Sequence, residues 1–182
     1  MRLVRIGDKV VNRDRIVQTV DRILELRAQG YSQLEVAEKL QVDRTLISRL
    51  ESIGEVRKGK RIALVGFPIK NRAELAAMAE EEGVDFILLM SEEERLQFAR
   101  SKNGADLLNE VMELIARARE CDGVIFIGSD QRLRMVEGLV GPHVIGIEIG
   151  TSPIHEDKYV DPEEVRDLIR CIKGSQDREA DT

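Results

Sequence analysis

Arg44, Thr45, Ser48 and Arg49 lie in a run that also carries Leu46, Ile47 and Leu50. At about 3.6 residues per helical turn, the four polar residues fall away from the apolar three. Two guanidinium groups and two short hydroxyls on one helix face are suited to holding phosphates and reading base edges. A second group is spread over four places: Gly66-Phe67-Pro68, Met90-Ser91-Glu92, Gly128-Ser129-Asp130 and Gly150-Thr151-Ser152, with Lys70 and Asn71 close behind the first. Each follows an apolar run. Their hydroxyls, glycine-exposed backbone and one cation fit the binding of a small, modestly charged or hydroxylated molecule. Glycine and serine are also what strand-to-helix turns need, so a filled crevice and a closed one both remain open.

Other chemistries find no support. The first apolar run, IALVG, leads into FPIKN, without the G-x-G-x-x-G of a dinucleotide site or a phosphate-binding loop. That argues against NAD sensing. Gly66-Phe67 stands where a phospho-receiver domain needs an acidic pair. His143 precedes a strand, and His155 sits beside Glu156 and Asp157 in a polar loop. Cys121 and Cys171 match no ligand spacing and read as free thiols. No serine or cysteine has a neighbouring motif to activate it. The expectation is a non-enzyme with no metal and no cofactor.

Charge divides the chain. Residues 1–60 hold 13 Lys and Arg against 9 Asp and Glu, a balance of +4; residues 61–182 hold 15 against 25, a balance of −10. The whole comes to −6. Positive charge gathers where the candidate phosphate-holding helix lies, and the acidic remainder should face away from a polyanion. With 42% apolar residues and only 3% aromatic, the core must be built from aliphatic side chains. The charged start, MRLVRIGDKVV, has no apolar run long enough for a signal or a membrane span. A cytoplasmic setting without membrane association is expected.

These residues need elements to position them. Residues 3–11 alternate loosely around Gly7-Asp8, as a hairpin or an extended arm would. Asn12 or Asp14 starts a helix with Ile16, Val20, Ile23, Leu24 and Leu26 on its apolar side, ending at Gly30. Ser32 and Glu35 form a capping box for a short helix to about Leu40, with Leu34, Ala37 and Leu40 on one face. Gln41-Val42 turns the chain. Asp43 caps the next helix, with Leu46, Ile47 and Leu50 inward. GEVRKGK (54–60) reads as a short linker. Beyond it, apolar strands at 62–66, 85–90, 123–128 and 143–149 alternate with helices at 71–82, 92–100, 105–120, 130–140 and from Pro162. That order implies a parallel sheet. The stripe Leu107, Leu108, Val111, Met112, Leu114, Ile115 is wider than one sheet face needs, and suggests a dimer contact. Gly146 and Glu148 share a face, which suits an edge strand.

Residues 30–53 resemble the helix-turn-helix of bacterial and phage repressors of the Cro type. The matching positions are Gln33, Glu35, Ala37, Leu40, Val42, Ile47, Ser48, Arg49, Leu50 and Glu51; Gln41 departs from the glycine usual at the turn. The resemblance implies a partner in double-stranded DNA, with Gln33, Arg44, Thr45, Ser48 and Arg49 at the interface. The resulting expectation is an α/β chain in three parts. A helix-turn-helix domain spans 1–58. A small Rossmann-like or flavodoxin-like sandwich at 59–174 serves sensing and dimerisation, and a disordered tail covers 175–182. The function expected is transcriptional regulation by a homodimer with a small-molecule effector, bound by Gly66, Phe67, Lys70, Asn71, Ser91, Gly128, Ser129, Asp130, Gly150, Thr151 and Ser152. The competing reading is a metabolite-binding protein or enzyme whose helical N-terminus serves association.

Overall fold

The computed structural model describes residues 2–55 and 61–174. The chain divides into two compact units, Met1–Glu55 and Val56–Thr182. The expected boundary between residues 58 and 59 and the tail 175–182 lie outside the described residues, as does the linker beyond Glu55. The architecture is mixed α/β, with eight helices, a four-stranded parallel sheet and a two-stranded hairpin among the described residues.

The first unit opens on the hairpin β1 (Leu3–Ile6) and β2 (Lys9–Asn12), which pair antiparallel with Ile6 opposite Lys9. Gly7 takes φ +59°, which the tight two-residue turn needs at its first central position. Asn12 ends β2 and caps α1 (Arg13–Ala28), its side chain accepting from the Arg15 amide. Ser32 caps α2 (Gln33–Leu40) in a two-way box with Glu35: the Glu35 amide donates to Ser32 Oγ at 3.2 Å and the Ser32 amide donates to Glu35 Oε2 at 2.7 Å. Gln41 ends α2 in the left-handed region, at φ 53° and ψ 45°. Asp43 then caps α3 (Arg44–Gly54), accepting from the Thr45 amide at 2.6 Å.

The three helices bury Ile23, Leu26, Val36, Ala37 and Ile47. Several expected inward residues are not among them. Leu34 is 58% exposed and Val36 takes its place. At about 100° per residue, Leu34 lies about 120° around the helix from Leu40, whereas Val36 falls beside both Ala37 and Leu40. Three-residue spacing drifts off the face. Ile16 and Leu24 on α1 and Leu46 on α3 are likewise exposed.

The second unit has strands β3 (Ile62–Gly66), β4 (Phe86–Leu89), β5 (Gly123–Gly128) and β6 (Val144–Glu148), in spatial order β4-β3-β5-β6 and all parallel. Side chains alternate across the sheet. Ile62, Leu64, Ile125 and Ile127 meet α4 (Arg72–Glu81) and α8 (Pro162–Lys173) on one face. Ala63, Val65, Val124 and Phe126 face the side of α6 (Gly104–Arg119) and α7 (Asp130–Val140). β6 is an edge strand whose Gly146 leaves room for the Leu133 side chain of α7. Ser91 caps α5 (Glu92–Arg100) through a second box with Glu94. Of the wide stripe on α6 only the neighbouring Ala118 is buried, while Leu108 and Met112 are exposed. Cys121 is buried and Cys171 exposed, both free. No helix among the described residues is long and apolar enough to cross a membrane.

Candidate functional site

The outward face of α3 follows from what the helix buries. Ile47 is fully buried, and Arg44, Thr45, Ser48 and Arg49 are all exposed on the remaining surface. Arg49 makes no hydrogen bond or ion pair among the described residues. Gln33, the fifth residue expected at this surface, is half-buried and already engaged. Its Nε2 donates to Glu51 Oε2 at 2.7 Å, and its Oε1 accepts a long 3.5 Å contact from Arg44 Nε. Gln33 therefore lies between Glu51 and Arg44. Glu51 also accepts from Arg27 Nε at 2.5 Å, and Arg27 donates in turn to the Tyr31 carbonyl. The Arg27 hydrogen bond, followed by that of Gln33, holds the Glu51 carboxyl below the usual carboxylate range. A polar row, Arg27-Glu51-Gln33-Arg44, thus joins all three helices. Its traces in the sequence are the matches at Gln33 and Glu51 to the repressor pattern; Arg27 had no such signal.

The eleven residues expected at a ligand rim do gather on the carboxyl edge of the sheet or just beyond it, but five of them, Asn71, Ser91, Ser129, Asp130 and Ser152, have their polar side chains bonded to protein. The loop of residues 149–161 comes back over this edge, with Ile69 pairing in parallel with Lys158. Asn71 clamps it: Nδ2 donates to the Val160 carbonyl at 2.8 Å and Oδ1 accepts from the Val160 amide at 3.0 Å. Ser129 is fully buried, 2.6 Å from the Ser152 hydroxyl. Asp130 Oδ1 accepts from the Ser152 amide at 2.8 Å, which is the largest cause holding its carboxyl below the usual range. Ser91 is buried in its capping box. The Glu92 amide, at the start of α5, donates to Asp157 of the loop.

The glycines make room for neighbouring side chains. A Cβ on Gly66 would meet Ile127 at 3.0 Å, one on Gly128 would meet the Phe126 ring at 2.6 Å, and one on Gly150 would meet Ile154 at 3.5 Å. At Gly66 and Gly128 the space that suggested close ligand approach is filled by the protein, whereas at Gly150 the neighbour stands at ordinary contact distance. Lys70 and Thr151 stay exposed, and Thr151 and Gly150 border a surface depression with His155 and Lys158.

A second, mainly apolar opening lies elsewhere. On the second face of the sheet, α5, α6 and α7 bound a chamber of about 390 Å³, and of the expected rim residues only Phe67 lines it. Arg95 and Arg132 are its charged residues, and neither carried a motif. No protein-family model, curated protein or solved structure matches the chain.

Proposed function

We propose that the chain is a sequence-specific DNA-binding transcriptional regulator. In this reading α2, the Gln41 turn and α3 form a helix-turn-helix, and α3 enters the major groove. The observation that carries it is the division of α3, with Arg44, Thr45, Ser48 and Arg49 exposed together and Ile47 fully buried opposite. The charge balance of +4 over residues 1–60 against −10 over residues 61–182 supports the same placement. One such helix touches few base pairs, so the working form is a homodimer reading half-sites about 34–36 Å apart. The second unit is then a small Rossmann-like sandwich for dimerisation and effector sensing, and the protein acts in the cytoplasm.

Selection from a randomised duplex library by the full-length chain tests the proposal. Enrichment of a two-fold symmetric sequence is expected. Recovery of unenriched sequence at every salt concentration would remove the reading.

A further inference from the structure

The chamber between the sheet and helices α5, α6 and α7 has the makings of a binding site. Its volume, about 390 Å³, falls in the usual range for small-molecule pockets. Val65, Leu88 and Phe126 form the floor, and Phe98, Val111 and Leu114 contribute to the walls. Nearly all of the lining is hydrocarbon, interrupted by two guanidinium groups.

Those two groups are in different states. Arg95 is satisfied by Glu92, to which it donates twice, at 2.9 and 2.5 Å. Arg132, in the first turn of α7, has no such partner. Its Nη1 is buried without a hydrogen-bond acceptor among the described residues, and its guanidinium lies 5.1 Å from the Phe67 ring centroid. Burial and the nearby Arg95 both work against its charge. A buried N–H without an acceptor is costly, and a ring face compensates only in part. Two arginines share one carboxylate, so one positive charge beside the chamber has no counter-charge of its own.

We propose that this chamber binds an amphipathic carboxylate of medium size, an acyl or aryl acid, with its carboxylate on Arg132 and its hydrocarbon among Val65, Leu88, Phe98, Val111, Leu114 and Phe126. A planar carboxylate matches the fork of a guanidinium. The apolar walls suit a chain or ring and offer nothing to a sugar or a nucleobase edge. The proposal refines the effector site of the regulator described above, and rests on that reading only for its consequence at DNA.

The test is a calorimetric titration of the full-length chain with decanoate, using 1-decanol and decyltrimethylammonium as probes with the same chain and a different head. The variants are Arg132→Gln, which removes the charge, and Val111→Trp, which fills the chamber from its exposed rim. Circular dichroism establishes that each is folded. Saturable decanoate binding is expected, with decanol weaker by about tenfold or more. Arg132→Gln should weaken decanoate by a similar factor and leave decanol little changed, and Val111→Trp should weaken both. The proposal is overturned if the folded chain shows no saturable decanoate binding, if Arg132→Gln binds decanoate as wild type does, or if the ammonium probe binds as well as the carboxylate. Duplex binding is measured on the same samples. Loss of the chamber result with duplex binding intact leaves the regulator standing; decanoate binding by a chain that ignores DNA removes the regulator and keeps the site.

Discussion

The Arg27 guanidinium donates to the Glu51 carboxylate at 2.5 Å, joining the end of α1 to α3. Because Glu51 also receives Gln33, the pair orients the start of α2 as well. Glu51→Gln should cost about 1 kcal/mol, since the pair is partly exposed and the amide keeps some hydrogen bonding. The pH dependence has a definite sign. The folded-state carboxyl titrates below its unfolded value of about 4.3, so the contribution is fully present above that pH and is lost as pH falls through the folded-state value. Hydrogen exchange at α2 and α3 amides should therefore separate wild type from Glu51→Gln at neutral pH. The two should converge only once pH has fallen through the lowered folded-state value of Glu51.

Gln41 is the only described residue other than glycine with positive φ. A side chain in the left-handed region costs about 1 kcal/mol or more, and glycine gives part of that back through a more flexible unfolded chain. Gln41→Gly should leave stability equal or raise it by up to about 1 kcal/mol, whereas Gln41→Val should lower it by more than about 1 kcal/mol. Urea denaturation of the three proteins gives the order. Valine as stable as glutamine would mean that the turn is not left-handed.

Asn71 meets both backbone groups of Val160, as a neighbouring strand would. Asn71→Ala leaves a part-buried amide and carbonyl without partners, at a cost of about 1–3 kcal/mol. The loss should appear first as faster proteolysis within residues 150–161. An unchanged cleavage rate would show that other contacts, such as the Ile69–Lys158 pairing, hold the loop alone.

Leu108 and Met112 are 62% and 57% exposed on α6, one turn apart. Apolar residues in such a pair suit a contact with a second copy of the chain. Sedimentation should give a dimer at tens of micromolar, and Leu108→Glu with Met112→Glu should give monomer. A wild-type chain that sediments as monomer would remove this contact.

The parallel sheet was legible because IALVG and GVIFIG are short apolar runs closed by glycine, and buried strands have that texture. At the rim the same glycines admit two readings. A missing Cβ looks alike in sequence whether a ligand or a neighbouring side chain fills the space; at Gly128 it is Phe126. The returning loop was hidden because residues 150–161 have no periodicity to betray a pairing such as that of Lys158 with Ile69. Arg132 was hidden for another reason. In an amphipathic helix an arginine reads as solvent-facing, and only the fold shows that its Nη1 is buried. On α6 one stripe serves two surfaces: Leu107, Val111, Leu114 and Ile115 line the chamber, and Leu108 and Met112 do not.

The face of α3 is where the functional account stands or falls. Affinity for a duplex carrying the selected sequence, measured across a salt series, compares wild type with Arg44→Ala, Arg49→Ala and the double variant. Arg44→Ala should cost about 1–3 kcal/mol and relax preference at one base position. Arg49→Ala should weaken all sequences alike and lower the salt slope by about 1. The double variant, folded by circular dichroism, should bind far more weakly than wild type at moderate salt. Equal affinity of the double variant and wild type would contradict the account.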